Sequence, residues 1–455
     1  MKIVIVGAGK VGVALTRHLA VENRVTVIDQ NPHLVENIIN IYDVMGVCGN
    51  GASYDVQKEA DVEQADLLIA TTSSDEINIL TCLVAKKMGV QHTIARIRSP
   101  EYGRQLRFMR SELGLSMAIN PEAATAREIA RVLRFPTAMK LESFSKGRLE
   151  LVEYRVAEHT ALDGTRLSEL YRNFKVRVLI CAVARQGETI IPSGDFTLRA
   201  GDKIYLTAAP RELEKFFRLL GVFRARASSV MIVGASKMCY YLASELLEMG
   251  MSVKIIDQNE QRCVEMSEKL PRALVIVGDG TDSELLSEEG ISQTDAFVAI
   301  TGLDEANILM ALSAAKQSGD CCKVVAKINR KSLLELVSTE SLIDSVVSTG
   351  AVTTELILQY IRAMKNASAS KVKTLHRIVD EKVEAVEFRV TPDISFAGVP
   401  LRDLNLKRGL LLAGIVRQNG QIVIPSGNDV LHLHDDVIVV TTDTQLEDLR
   451  DILAE

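Results

Sequence analysis

Tryptophan is absent from this 455-residue chain and aromatic residues make up only 4% of it, so small aliphatic side chains must fill its cores. Long apolar runs are missing too. VLICAVA at 178–184 and LLLAGIV at 410–416 are the longest obvious ones; they fall short of the ~18 residues that span a bilayer and read as buried strands. Any membrane role is therefore expected to be peripheral. The seven cysteines (Cys48, Cys82, Cys181, Cys239, Cys263, Cys321, Cys322) include no C-x-x-C pair, which points to buried thiols in a reducing compartment rather than a disulfide frame or a zinc site. Positive charge is in slight deficit, with a formal net charge of −6, so the overall balance gives no support to a nucleic-acid partner. The densest basic stretch, Arg96, Arg98, Arg104, Arg107 and Arg110, carries Glu101 and Glu112 and reads as a solvated helix face. The motifs G-x-S-x-G, H-E-x-x-H and G-x-x-x-x-G-K-[ST] are all lacking, and with them the hydrolase, metalloprotease and P-loop chemistries they serve. His432 and His434, two residues apart on an expected strand, would share a face, but no further ligands of matching spacing make them a metal site. The opening MKIVIVG has no signal-peptide leader and predicts a cytoplasmic protein.

What is present is a repeat. IVIVGAGKVG (3–12) returns as VMIVGASKMC (230–239), and VTVIDQN (25–31) as VKIIDQN (253–259). VCGNGAS (47–53) returns as IVGDGTD (276–282), IATTSSDEINIL (69–80) as AITGLDEANIL (299–309), and TIARI (93–97) as VVAKI (324–328). Beyond these, the segments around the shared IPSG, at 188–208 and 420–442, show strand alternation broken by Gly, Pro and Asp, as expected of a small β-rich module with a helix or two. Connectors are expected around Pro136, at 223–229 and at 365–371. The resulting division is 1–137, 138–222, 223–366 and 367–455. The fold class is α/β: two Rossmann-like parallel-sheet lobes, each followed by a small β-rich α+β lobe, as a tandem repeat.

In the first large lobe a run of β-branched residues leads into the glycines and an amphipathic stretch follows; this is strand, tight turn, helix. Gly7 permits the turn, Gly9 lets a pyrophosphate approach the backbone, and Gly12 allows the helix to pack on the sheet. The helix N-terminus offers N–H groups and the positive dipole end to phosphates. Asp29 ends the second predicted strand 22 residues after Gly7, where a carboxylate accepts from ribose hydroxyls and repels a 2′-phosphate, favouring NAD over NADP and leaving ATP and ADP open. The second lobe keeps Gly234 and Asp257 but has Ser236 and Cys239 in place of Gly9 and Gly12. A Cβ at each position is expected to crowd a pyrophosphate and to push helix from sheet, so weaker or different binding is predicted there. An NAD-dependent oxidoreductase, the alternative reading, needs a His, Tyr or Lys proton-transfer set that does not converge in the sequence. Tyr54 and Lys58 have Y-x-x-x-K spacing but follow the wrong glycine pattern for short-chain dehydrogenase chemistry. A transcriptional regulator would need a basic helix-turn-helix, and none is evident.

The order GAGKVG, Asp29, GNGAS, TTSSDEIN and ARIRSPEY, followed by an IPSG-bearing lobe and then repeated, resembles the TrkA family. These are tandem RCK (KTN) domain peripheral regulatory subunits of the Trk potassium-uptake system. The resemblance implies a non-enzymatic homo-oligomer, a tetrameric ring on the inner face of the cell membrane. It would gate an integral-membrane potassium transporter in response to NAD(H), ATP or ADP. It also implies that Gly7, Ala8, Gly9, Lys10, Val11 and Gly12 hold the diphosphate and Asp29 the ribose. Asn50, Thr72 and Ser73 would lie near the nucleotide, and Arg96 would approach its phosphates. Gly234, Asp257 and Asp279 are the corresponding positions of the second lobe. The bland readings are that Thr72 caps a helix and that Arg96 pairs with a carboxylate such as Asp75. The helical segments 119–135 and 347–363 are the expected hinge or subunit contact.

Overall fold

The computed structural model of the protein describes residues 1–102, 113–134, 140–145, 147–222, 227–319, 322–337, 343–366, 372–379, 382–443, 446 and 448–454. The expected connectors fall wholly or partly outside these residues, as do Arg104, Arg107, Arg110 and Cys321. Four sheets alternate in type along the chain. The first is parallel, built from β1 (Lys2–Val6), β2 (Arg24–Asp29), β3 (Met45–Cys48), β4 (Leu67–Ala70), β5 (His92–Arg96) and β6 (Met117–Ile119). The second is antiparallel: β7 (Lys140–Phe144), β8 (Leu149–Arg155), β9 (Leu179–Arg185), β10 (Glu188–Ile190) and β11 (Lys203–Ala208). The third repeats the first with β12 (Ser229–Val233), β13 (Ser252–Asp257), β14 (Leu274–Val277), β15 (Ala296–Ala299), β16 (Lys323–Lys327) and β17 (Ser345–Val347). The fourth repeats the second with β18 (Val372–Ile378), β19 (Val383–Arg389), β20 (Leu410–Val416), β21 (Ile422–Val423) and β22 (Asp436–Thr441).

The chain divides into two compact units that do not follow the sequence halves. One holds residues 1–130 and 228–356, and thus both parallel sheets; the other holds 131–227 and 357–455. In the first unit each sheet has the order 3-2-1-4-5-6, reversing direction between its first and fourth strands. That reversal opens a crevice at the carboxyl ends of β1 and β4 in which such folds place their ligands. Burial explains the composition: every residue of β4 is buried, as is every residue of β15, as expected for strands covered on both faces by helices. Asp295 pins the entry of the second parallel sheet. Its Oδ2 accepts from Ser228 N (2.8 Å), Ser228 Oγ (2.6 Å), Ser229 N (2.9 Å) and Ser229 Oγ (3.1 Å).

In the second unit the two antiparallel sheets share one apolar layer, which includes Phe144, Leu149, Leu151 and Tyr205 from one and Val383, Ala385, Ile438 and Val440 from the other. The opposite face of each sheet has its own core, around Phe216 and Phe217 in one lobe and Phe388 and Leu449 in the other. The apolar runs VLICAVA and LLLAGIV lie on β9 and β20, buried on two faces. The expected histidine strand is corrected here: His432 and His434 precede β22, and His434 has φ of 69°. The Arg417 guanidinium lies 2.7 Å from His432 Nδ1 and also bonds Asp435, so a side-chain cation serves this cluster. The cysteine expectation is corrected at one position, since Cys48 is exposed while Cys82, Cys181, Cys239, Cys263 and Cys322 are buried.

Burial works to raise the Asp295 carboxyl, but its serine hydrogen bonds prevail and hold it below the ordinary value. A depressed folded-state value contributes stability above the unfolded value of about 3.9, lost as pH falls through the folded one. Asp295→Asn is expected to lower stability by about 1 kcal/mol at pH 7, with the gap from the parent closing as pH falls below about 4 in urea denaturation.

Candidate functional site

The crevice of the first lobe is built on one close approach. Gly7 has φ of +104°, and its N–H donates to Ile28 O at 2.8 Å. A Cβ there would come within 2.9 Å of the Thr71 and Thr72 backbone, and one on Gly12 would sit 1.8 Å from Gly7 O. Only glycine lets the helix Lys10–Leu19 lie this near the strand end. Gly9 caps that helix with extended backbone and no side-chain hydrogen bond, and a Cβ on it would meet nothing within 4 Å. The helix N-terminus therefore opens onto free space with its first N–H groups unserved by a side chain. Gly9 and Lys10 are exposed while Ala8, Val11 and Gly12 are buried.

Asp29 stands at the end of β2. Its Oδ2 accepts from Ala8 N at 2.6 Å and its Oδ1 from Asn31 N at 2.8 Å. The carboxylate thus clamps the glycine loop, and since each oxygen offers two acceptor sites, it keeps capacity for ribose hydroxyls. Beyond β3, Asn50 accepts from Ala52 N at 3.1 Å through its side chain and is exposed at the rim.

Across the crevice, after β4, the bland readings of Thr72 and Arg96 change in detail, with Arg96 paired to a carboxylate other than Asp75. Ser74, not Thr72, caps the helix Asp75–Lys87, accepting from Ile77 N. Thr72 instead donates its hydroxyl to Asn78 Oδ1 at 2.7 Å, and the same oxygen accepts from Thr72 N at 2.8 Å. Asn78 Nδ2 donates to Arg96 O at 2.9 Å, so one buried amide ties the β4 and β5 ends together. Arg96 pairs with Glu122 at 3.1 Å, and Arg98 is the arginine beside Asp75, at 3.7 Å. The Arg96 Nε and Glu122 Oε2 atoms are buried without a hydrogen-bond partner. Arg98 also donates from its guanidinium to Ser73 O. Glu76, held by Ser74 and its own backbone N–H and then by Tyr102, titrates at about 2 and stays anionic.

Sequence reasoning passed over Asn78 and Glu122, and its helix-face reading of Arg96 and Arg98 is corrected: Arg96 ends β5 and Arg98 follows that strand outside any helix. For Asn78 the signal was present: TSSDEIN and TGLDEAN repeat the asparagine as Asn307, whose Oδ1 accepts from Thr301 N at 2.9 Å. Glu122 carries no such signal, since Gly350 stands at the matching place of the second lobe.

The second lobe has the same frame with a different loop. Gly234 has φ of +112°, and Asp257 accepts from Ala235 N at 2.6 Å and Asn259 N at 2.9 Å. Ser236 Oγ accepts from Cys239 N at 3.4 Å, so a side chain serves the helix start that Gly9 leaves open. Ser236 N donates to Gly234 O at 3.0 Å, tightening the turn. The helix begins at the matching residue, Lys237, and Cys239 is fully buried on its first turn. Asp279 is exposed and spends its Oδ1 on Thr281 N and Thr281 Oγ1, which with Gln258 hold it below its ordinary value.

Fold and site together define a class: paired dinucleotide-type glycine-loop lobes in tandem with β-rich lobes. The TrkA-N domain family matches residues 3–121 and 230–349, and the TrkA-C domain family matches 151–221 and 385–454. The chain is similar to the Trk system potassium uptake protein TrkA homolog of Archaeoglobus fulgidus, 32% identical over 453 residues, covering 99% of this chain and 100% of that one. It is similarly related to the Trk system potassium uptake protein TrkA of Vibrio alginolyticus, 32% identical with coverage of 97% and 94%. The chain belongs to the TrkA family. Among solved structures, the GsuK RCK domain superposes with a TM-score of 0.63 at 20% identity, covering 98% of this chain and 93% of that one, which shows a shared RCK fold. The GsuK channel bound to NAD gives the same score and identity, with coverage of 98% and 77%.

The loop geometry separates two glycines by effect. Gly12→Ala is expected to cost about 1–3 kcal/mol in urea denaturation, because its Cβ must displace backbone. Gly9→Ala should change stability by less than about 0.5 kcal/mol, since its Cβ enters open space.

Proposed function

We propose that this protein is a nucleotide-responsive regulatory subunit of a membrane potassium-uptake protein, with the first lobe as its sensor. The observation that carries the reading is the uncapped start of the helix Lys10–Leu19, open over Gly9 and set beside the Asp29 carboxylate. Gly7, Ala8, Gly9, Lys10, Val11 and Gly12 would hold a diphosphate, Asp29 a ribose, and Asn50, Thr72, Ser73 and Arg96 the remaining rim. NAD(H), ATP and ADP all present that chemistry. The relatives' name, potassium uptake protein TrkA, supports the transport role, and the NAD-bound GsuK channel supports a nucleotide ligand. No helix among the described residues is long and apolar enough to cross a membrane, in keeping with a partner that supplies the pore. The chain would act as a homotetramer on the inner membrane face.

The second loop, capped by Ser236 and packed by Cys239, does not hold a diphosphate in this reading; Gly234, Asp257 and Asp279 serve the frame of the lobe. Gating requires that nucleotide bind one conformation better than another, and coupling energies of about 1–3 kcal/mol are typical. In proteoliposomes carrying a Trk-type membrane subunit and this chain, saturating nucleotide is expected to change potassium flux by about 5-fold or more. Asp29→Ala should abolish that change while the chain still binds the membrane subunit. A flux indifferent to all of NADH, NAD, ATP and ADP contradicts the proposal.

A further inference from the structure

Within the unit formed by the two parallel-sheet lobes, one side chain makes hydrogen bonds that cross from lobe to lobe. Tyr241, on the helix Lys237–Glu248, donates its hydroxyl to Arg98 O at 2.9 Å and accepts from Asn120 Nδ2 at 2.8 Å. Asn120 Nδ2 also reaches Arg98 O at 3.3 Å, while its Oδ1 accepts from Ala123 N at 2.8 Å and so serves the start of the helix Pro121–Arg134. Arg98 in turn belongs to the rim of the first crevice. Its N–H donates to Asp75 Oδ2 at 2.9 Å and its guanidinium to the carbonyl of Ser73. A chain of hydrogen bonds thus runs from Ser73, at the candidate ligand's edge, through Arg98 to the helix that follows the second glycine loop.

The arrangement is one-sided. The first-lobe residue matching Tyr241 is Ala14, and the second-lobe residue matching Arg98 is Asn329, so the first lobe has no hydroxyl to return the contact. The Tyr241 ring is fixed by an edge-on contact with Tyr240, centroids 5.6 Å apart. Burial pushes its phenol above the ordinary value.

We infer that Tyr241 is the positioning residue through which the second lobe reads the state of the first lobe's ligand edge. The inference rests on the nucleotide reading above. A ligand that reorders Ser73 and Arg98 alters the carbonyl that Tyr241 holds, and by linkage the restraint that Tyr241 places on Arg98 biases ligand affinity in return. The second lobe, with its own loop capped, acts as the receiver of the first.

The test uses the full chain with NADH and ADP as probes, calorimetry for binding and amide hydrogen exchange of residues 237–248 for the response. In the parent chain, nucleotide is expected to slow exchange in this helix at least about 3-fold. In Tyr241→Phe, which keeps the ring, nucleotide should still bind within about 10-fold of the parent affinity while the exchange response disappears. Asn120→Asp provides a second route: it keeps the cap on Ala123 N, removes the donor to Tyr241 and draws the hydroxyl away from Arg98. It should lose the response too. A purely structural tyrosine would lower the melting temperature and leave the response in place. Persistence of the parent response in both variants, or a parent chain that binds nucleotide with no change at 237–248, overturns the inference. A parent chain that binds neither probe in calorimetry overturns the nucleotide reading itself, and the inference with it.

Discussion

The near-contact between Gly7 and Gly12 is the constraint from which the first lobe's site follows. A strand that ends in a left-handed glycine and a helix with no Cβ at its third residue can approach closely enough to leave the helix start facing open space. Asp29 then fixes the loop by taking Ala8 N. The two interactions are mutually dependent: the clamp needs the turn that Gly7 makes, and the turn is held in register by the clamp. The second lobe keeps both turn and clamp, Gly234 with φ of +112° and Asp257 holding Ala235 N at the same 2.6 Å, while the loop beside them is closed by Ser236. The chain thus carries one frame twice, once with an open helix start and once with a capped one.

That difference gives physical meaning to the repeat. Two copies of one lobe in a single unit offer a reference and a variable. One copy retains an open helix start; the other has satisfied its own amide with a serine hydroxyl and filled the packing position with a buried thiol. A capped helix start gains local stability, and an open one keeps donors for an anion. Under the proposed function, a ligand held at the open start shifts a conformational population only by the difference in its affinity for the two states.

Much of this was legible in the sequence. The glycine spacing, Asp29 and the repeated DQN and IPSG segments identify lobe types and their order, because they are set by local backbone geometry. Side-chain pairing was less legible. The bland alternative set Arg96 beside a carboxylate such as Asp75; Arg98 lies there, and Arg96 pairs with Glu122, a residue 26 positions away in sequence. The grouping of lobes was not readable either. Periodicity reports which face of a strand is buried but not which sheet covers it, so nothing in the sequence pairs β8 with β19 across one apolar layer. The two histidines misled for a local reason: an alternating pattern runs into a turn at His434, where φ of 69° ends any strand.

The central claim is that the chain has one nucleotide site and that it lies at the first glycine loop. Equilibrium dialysis of the intact protein against labelled NADH or ADP measures this directly. The account predicts one nucleotide bound per chain, lost in Asp29→Ala and retained in Asp257→Ala. Two nucleotides per chain, or a single one that survives Asp29→Ala and disappears in Asp257→Ala, would contradict it.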